Sequence, residues 1–81
     1  MMVNVRVFGG LRDLIGQRDL KLDIDSPYHV KAVWAAVEKA YPVLSSYAHI
    51  VRFAVNGSLV SAEVVLRSGD DVALLPPMSG G

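Results

Sequence analysis

The segment Asp71-Val72-Ala73-Leu74-Leu75-Pro76-Pro77 decides the fold when it is set against Val3-Asn4-Val5-Arg6-Val7-Phe8. The first is a short apolar run closed by two prolines, which cannot donate to a strand ladder. It reads as the last strand. The second alternates with period two, so Val3, Val5 and Val7 share one face and Asn4, Arg6 and Phe8 the other. These are the most apolar strand candidates in the chain, so they are expected at the centre of a sheet, side by side. Parity then turns Val5, Val7, Val72 and Leu74 toward a core. It turns Arg6, Phe8, Ala73 and Leu75 away from it.

Working outward, Gly9-Gly10 breaks the first strand. Leu11–Ile15 fits a short helix, with Gly16 as its stop. A second alternating run places Leu20, Leu22 and Ile24 inward and Asp19, Lys21 and Asp23 outward. The main helix is marked by Val30, Val33, Trp34, Val37, Ala40 and Tyr41, which fall on one helical face. Ser26-Pro27 resembles a cap followed by a first-turn proline, with a start nearer His29 as the alternative. Pro42 ends the helix. Ile50–Val55 alternates again, with Val51, Phe53 and Val55 toward the core and Arg52 and Ala54 opposite. Asn56-Gly57 is a tight-turn signal leading into Ser58-Leu59-Val60. Ala62–Leu66 fits no single element, and Arg67-Ser68-Gly69-Asp70 is a turn. The sum is one α+β domain over residues 1–77, followed by a tail over 78–81. A mixed sheet of about five strands carries one main helix on one face. This is the β-grasp arrangement of ubiquitin-like proteins.

Composition narrows the function. The chain has 81 residues, eight basic against eight acidic side chains, and no cysteine. Zero net charge argues against a nucleic-acid clamp or a polybasic membrane patch. Without cysteine there is no disulfide framework, no thiolate metal site and no side-chain thiol chemistry. No apolar run reaches the length of a membrane span. The first residues lack the pattern of a signal peptide, so a cytoplasmic protein is expected. A chain this short leaves little room for a deep active site. Function at the surface or at a terminus is the expectation.

No regular element claims Met78-Ser79-Gly80-Gly81. Pro76-Pro77 favours an extended departure from the sheet. The last two residues carry no side chain and can thread a channel that excludes a β-carbon. From Pro76 to Gly81 the chain reaches at most about 20 Å, enough to place a carboxylate inside another protein's pocket. That carboxylate is ionised at neutral pH and is a poor electrophile. Activation as an acyl-adenylate with ATP would make it a carrier. Sulfur displacing AMP then leaves a thiocarboxylate, whereas an amine leaves an isopeptide bond.

On these residues the chain resembles the MoaD/ThiS group, specifically the small sulfur-carrier subunits of molybdopterin synthase. The resemblance rests on Val5-Arg6-Val7-Phe8 with Leu11-Arg12-Asp13-Leu14-Ile15-Gly16, on Ala54-Val55-Asn56-Gly57, and above all on the block from Gly69 to Gly81. Gly9-Gly10, Leu74-Leu75 and His29 depart from the commoner pattern without removing a group the chemistry needs. The resemblance implies that Gly81, with Gly80, is the reacting end. An E1-like adenylyltransferase would activate it with ATP and a sulfur donor would convert it to a thiocarboxylate. The molybdopterin synthase large subunit would receive the tail, in a heterotetramer of two small and two large subunits. Sulfur would pass there to cyclic pyranopterin monophosphate, forming the dithiolene. The carrier would have no active site of its own, no tightly bound cofactor and no metal. A protein modifier conjugated through Gly81 is the alternative, as is a carrier for thiamine or another sulfur pathway.

Phe8, Leu59 and Leu75 are expected to form an exposed apolar patch beside the tail. With Pro76, Pro77, Met78 and Ser79 they form the expected partner interface. The other polar residues point to ordinary roles. His29 and His49 match no metal spacing and fit a helix end or solvent. Asp70-Asp71 fits an acidic turn better than a metal pair. Trp34 belongs to the core stripe. Arg12 and Asp13 fit a surface ion pair. Ser45, Ser46, Ser58 and Ser79 lack the His–Asp context of a nucleophile.

Overall fold

The computed structural model describes residues 1–77. The chain runs β1 (Met2–Val7), α1 (Gly9–Ile15), β2 (Asp19–Asp23), α2 (Val30–Ala40), a 310 turn (Pro42–Tyr47), β3 (Arg52–Val55), β4 (Ser58–Val60) and β5 (Asp71–Leu75). The sheet order is β2-β1-β5-β3-β4. β1 and β5 are parallel neighbours at its centre, in the register Val5 to Val72 and Val7 to Leu74. The other pairings are antiparallel. The expected α+β arrangement therefore stands, central strands included.

Burial follows the alternation. Val3, Val5, Val7, Val72 and Leu74 are sealed in one core with Val30, Val33, Trp34 and Val37 of α2. Phe53 meets Trp34 edge to face, at a centroid separation of 6.4 Å. Leu11 of α1, Leu44 of the 310 turn, Ile24 and Leu66 close the margins. Gly16 ends α1 at φ 71°, and its N–H donates to the Arg12 carbonyl, so it is the helix stop its place in the sequence implied. Asn56 (φ 50°) and Gly57 (φ 86°) are both left-handed, which suits a two-residue hairpin loop between Val55 and Ser58.

Two expectations need correction. Ser26-Pro27 does not cap the main helix; the cap residue is His29. No side chain caps that helix, because main chain does the work. The N–H groups of Val30 and Lys31 donate to the carbonyls of Val64 and Ala62, both at 2.9 Å. The Ala62–Leu66 segment thereby takes up donors that a helix start leaves unpaired. The N–H of Leu66 returns a bond to the Tyr28 carbonyl. The strand expected from Ile50 begins only at Arg52, because the N–H groups of Ile50 and Val51 donate back to the Tyr47 carbonyl. The stretch after Pro42 turns at once into the 310 turn, with Tyr41 at the junction. Among the described residues, no helix is long and apolar enough to cross a membrane.

Candidate functional site

The sheet has one face on α2 and, among the described residues, no helix on the other. Strand register sets the rows of that free face. Asp19, Arg6, Ala73, Ala54 and Leu59 line up across all five strands. Arg52 and Leu75 are paired in the next row. Phe8 stands beside Leu75, because its N–H donates to the Leu74 carbonyl at 3.1 Å and carries the β1–β5 pairing one residue past the strand. The backbone thus delivers Phe8, Leu75 and Pro76 to one corner, where the chain leaves the sheet.

Phe8 is 36% exposed and Leu59 65%, while Leu75 is half-buried. Phe8 and Leu75 stand side by side at this corner. Leu59 is not contiguous with them. It lies two strands from Leu75, roughly 10 Å by strand spacing, with Ala54 and Arg52 between. Ala54 faces outward yet is only 7% exposed, and it stands apart from the core cluster. Its small side chain, opposite Ala73 and Leu59, makes a low floor on this face. An open groove of about 660 Å³ crosses the same face, lined by Asn4, Arg6, Phe8, Asp71 and Ala73 among others.

On this face Arg6 and Asp19 form an ion pair. The Arg6 guanidinium donates to Asp19 at 3.1 Å and holds its carboxyl below the usual aspartate range. The Asn4 amide reaches Asp71 at 3.4 Å. Asp70 does not join Asp71 in a metal pair. Its carboxylate accepts from the Arg67 backbone N–H at 2.8 Å and from the Asn56 amide at 3.0 Å, and those bonds lower its pKa. Among the described residues no group of three or more His, Cys, Asp or Glu side chains gathers to hold a metal. Arg12 and Asp13 sit 3.9 Å apart on the surface, and Trp34 is buried. His29 stands at the helix end and His49 is exposed.

Pro76 is half-buried and Pro77 exposed at the exit. Met78, Ser79, Gly80 and Gly81, which complete the expected site, lie outside the described residues. One residue at this corner escaped the sequence: Gly9, whose bare Cα lies against the Pro76 ring. Its only sequence signal is a glycine pair after a strand, which reads equally well as a simple break.

A mixed five-stranded sheet on one helix, with parallel central strands and an exit beside them, defines a ubiquitin-like β-grasp protein. Residues 5–81 match the ThiS family, and the chain belongs to that family. Over 100% of both chains it is 30% identical to a molybdopterin synthase sulfur carrier subunit of Chlamydomonas reinhardtii. It is 31% identical to small archaeal modifier protein 1 of Haloferax volcanii, over 94% of this chain and 97% of that one. The crystal structure of that modifier superposes with a TM-score of 0.87, 26% identity and full coverage of both chains. A chain from the complex of subunits 1 and 2 of molybdopterin-converting factor from Helicobacter pylori superposes at TM-score 0.70, with 28% identity and full coverage of both.

Proposed function

We propose that this chain is the sulfur-carrier subunit of a molybdopterin synthase, holding its sulfur on the carboxyl carbon of Gly81. The observation that carries the proposal is the end-to-end match to a molybdopterin synthase sulfur carrier subunit. The likeness to a chain from a complex of subunits 1 and 2 of molybdopterin-converting factor supports a large-subunit partner here as well. In this reading the Gly81 carboxylate attacks the α-phosphate of ATP on an E1-like adenylyltransferase and expels pyrophosphate. A sulfur donor then displaces AMP and leaves the thiocarboxylate. The large subunit takes up Met78, Ser79 and Gly80, whose glycine passes where a β-carbon would not. There the thiocarboxylate sulfur bonds to a carbon of cyclic pyranopterin monophosphate, and water cleaves the resulting thioester, leaving the sulfur on the pterin and returning Gly81 to a carboxylate. The carrier contributes the tail and a docking face of Phe8, Leu75, Pro76 and Pro77, with Leu59 as a separate contact. The complex, two small and two large subunits in the cytoplasm, supplies the catalytic pocket. ATP is a substrate of the activating enzyme.

Intact-mass analysis of the chain purified from its native cell tests this. A species with one oxygen replaced by sulfur at Gly81 is expected. Normal molybdopterin levels in a strain lacking Gly81 would refute the proposal. The likeness to the archaeal modifier favours a second reading, conjugation of Gly81 to lysines. It predicts a ladder of larger adducts on denaturing gels probed for this chain, against the single free band of a pure carrier.

A further inference from the structure

The corner between β1 and α1 holds a close approach of two backbones. The register that pairs Val7 with Leu74 continues through the Phe8–Leu74 hydrogen bond and brings Gly9 beside Pro76, the first residue past β5. Gly9 has φ +56°, and a Cβ built there would sit 2.7 Å from Pro76 Cγ and 3.5 Å from Cδ. Real Cβ contacts essentially never fall below 3.0 Å, so something would have to shift. The proline ring cannot swing aside as a flexible side chain does, because it closes on its own backbone nitrogen and fixes φ. Leu74 and Leu75 immediately before it are pinned to β1 and β3. Phe8 is likewise held, by its N–H on the Leu74 carbonyl, so the shift falls on the backbone at Gly9 and Pro76 and changes how the chain leaves the sheet there. Three other left-handed glycines behave differently: Gly16 (φ +71°), Gly57 (φ +86°) and Gly69 (φ +90°) would each place a Cβ in open space. Gly9 therefore serves a conformation and a contact at once, and the contact is with the exit to the tail.

We propose that Gly9 is a positioning residue. Its bare Cα forms a notch that seats the Pro76 ring and sets the direction in which the chain leaves β5 toward Gly81. The notch thereby governs how readily Gly81 is presented to an activating enzyme. This rests on the carrier function proposed above. A misdirected exit leaves the carboxylate chemically intact but samples the productive geometry less often, so the loss falls on productive capture.

The test is ATP–pyrophosphate exchange by an E1-like adenylyltransferase, with the full chain as substrate. It is run at a temperature where circular dichroism shows every variant folded. Gly9→Ala is expected to raise KM about tenfold with little change in kcat, in keeping with the cost of small misplacements. Pro76→Ala, which empties the notch, is expected to raise KM roughly threefold, and the double variant to return to that level, since the collision needs both partners. In the double variant the nearest former ring atom is the Cβ of residue 76, 3.8 Å away. Gly16→Ala meets a left-handed φ without a collision, and its KM should stay at the wild-type value. A wild-type KM in Gly9→Ala, or fully multiplicative effects in the double variant, overturns the proposal. Should Gly9→Ala fail to fold, Pro76→Ala alone decides, and a wild-type KM in it overturns the notch. If the wild-type chain supports no exchange, the carrier function is what fails. The notch is then judged by NMR on the full chain. Nuclear Overhauser contacts between Gly9 Hα and the Pro76 ring, lost in Pro76→Ala together with a change in Met78 amide dipolar couplings, support it. Absent contacts or unchanged couplings overturn it.

Discussion

The Asn56 side chain bridges the hairpin turn to β5. Its amide donates to the Asp70 carboxylate at 3.0 Å, and its carbonyl oxygen accepts the Asp71 N–H at 3.0 Å. The Asn56 N–H also donates to the Asp71 carbonyl at 2.9 Å. A left-handed Asn at the turn thus aligns the start of the strand whose far end releases the tail. Asp70 completes the clamp by accepting the Arg67 N–H.

Removing that carboxylate should show a pH signature. The Arg67 N–H and then the Asn56 amide hold the Asp70 pKa below its ordinary value. The ionised group is favoured in the folded state, so its stabilisation is present above the unfolded pKa of about 4. It is lost as pH falls through the lower folded value. Asp70→Ala should cost about 1 kcal/mol at neutral pH, and urea unfolding should show the gap to wild type narrowing as pH falls below the unfolded value of about 4. A gap that does not narrow contradicts the clamp.

Leu74 and Leu75 are neighbours in sequence with opposite duties. Leu74 is fully buried among core residues, and Leu75 is half-buried on the outer face. Leu74→Ala should lose about 3 kcal/mol of stability, as buried leucine truncations do. Leu75→Ala should lose less than about 1.5 kcal/mol, having less area to expose. Denaturant titrations of the two variants check this, and equal losses would mean the parity is wrong.

Phe8 offers its ring to solvent while its N–H holds β5. Phe8→Asp keeps the backbone bond but gives up partly covered ring area, so the loss of stability should stay below about 1.5 kcal/mol. Affinity for a molybdopterin synthase large subunit, measured by calorimetry, should drop at least about tenfold if the corner is an anchor. Wild-type affinity would remove Phe8 from the interface.

His29 occupies the cap position of α2 without a side-chain cap bond, and its buried Nδ1 has no hydrogen-bond partner among the described residues. The carbonyls of Val64 and Ala62 already serve the helix start. His29→Ala should therefore change stability by less than about 0.5 kcal/mol, well short of the usual loss of about 1 kcal/mol for a side-chain cap. A loss of 1 kcal/mol or more, on the order of a true cap, would assign the imidazole a role the geometry does not show.

Much of the fold was legible because its signals are local. Val3, Val5 and Val7 alternate with polar residues, Val72 to Leu75 is a short apolar run closed by two prolines, and Gly16 and Asn56-Gly57 mark turns that need left-handed backbone. The start of α2 was legible only as one of two alternatives, the one nearer His29, because its cap consists of main-chain carbonyls at Ala62 and Val64, far downstream. Main-chain acceptors leave no residue-type signature, so Ser26-Pro27 looked like the better cap. Side-chain parity correctly turned Ala54 outward but gave no account of its burial, which comes from neighbours on other strands.

By itself the sequence determined the alternating strands, the amphipathic helix, the central pairing of the two most apolar strands, and the chemistry open to a chain without cysteine. Periodicity and residue type are local properties, and a covalent chain carries them wherever it folds. Tertiary structure alone decided three matters: Leu59 stands apart from Phe8 and Leu75, Asp70 is committed to Asn56 and Arg67, and Gly9 gives way to the Pro76 ring. Each depends on register between strands distant along the chain. Register is set by how whole faces pack, so no window of sequence contains it.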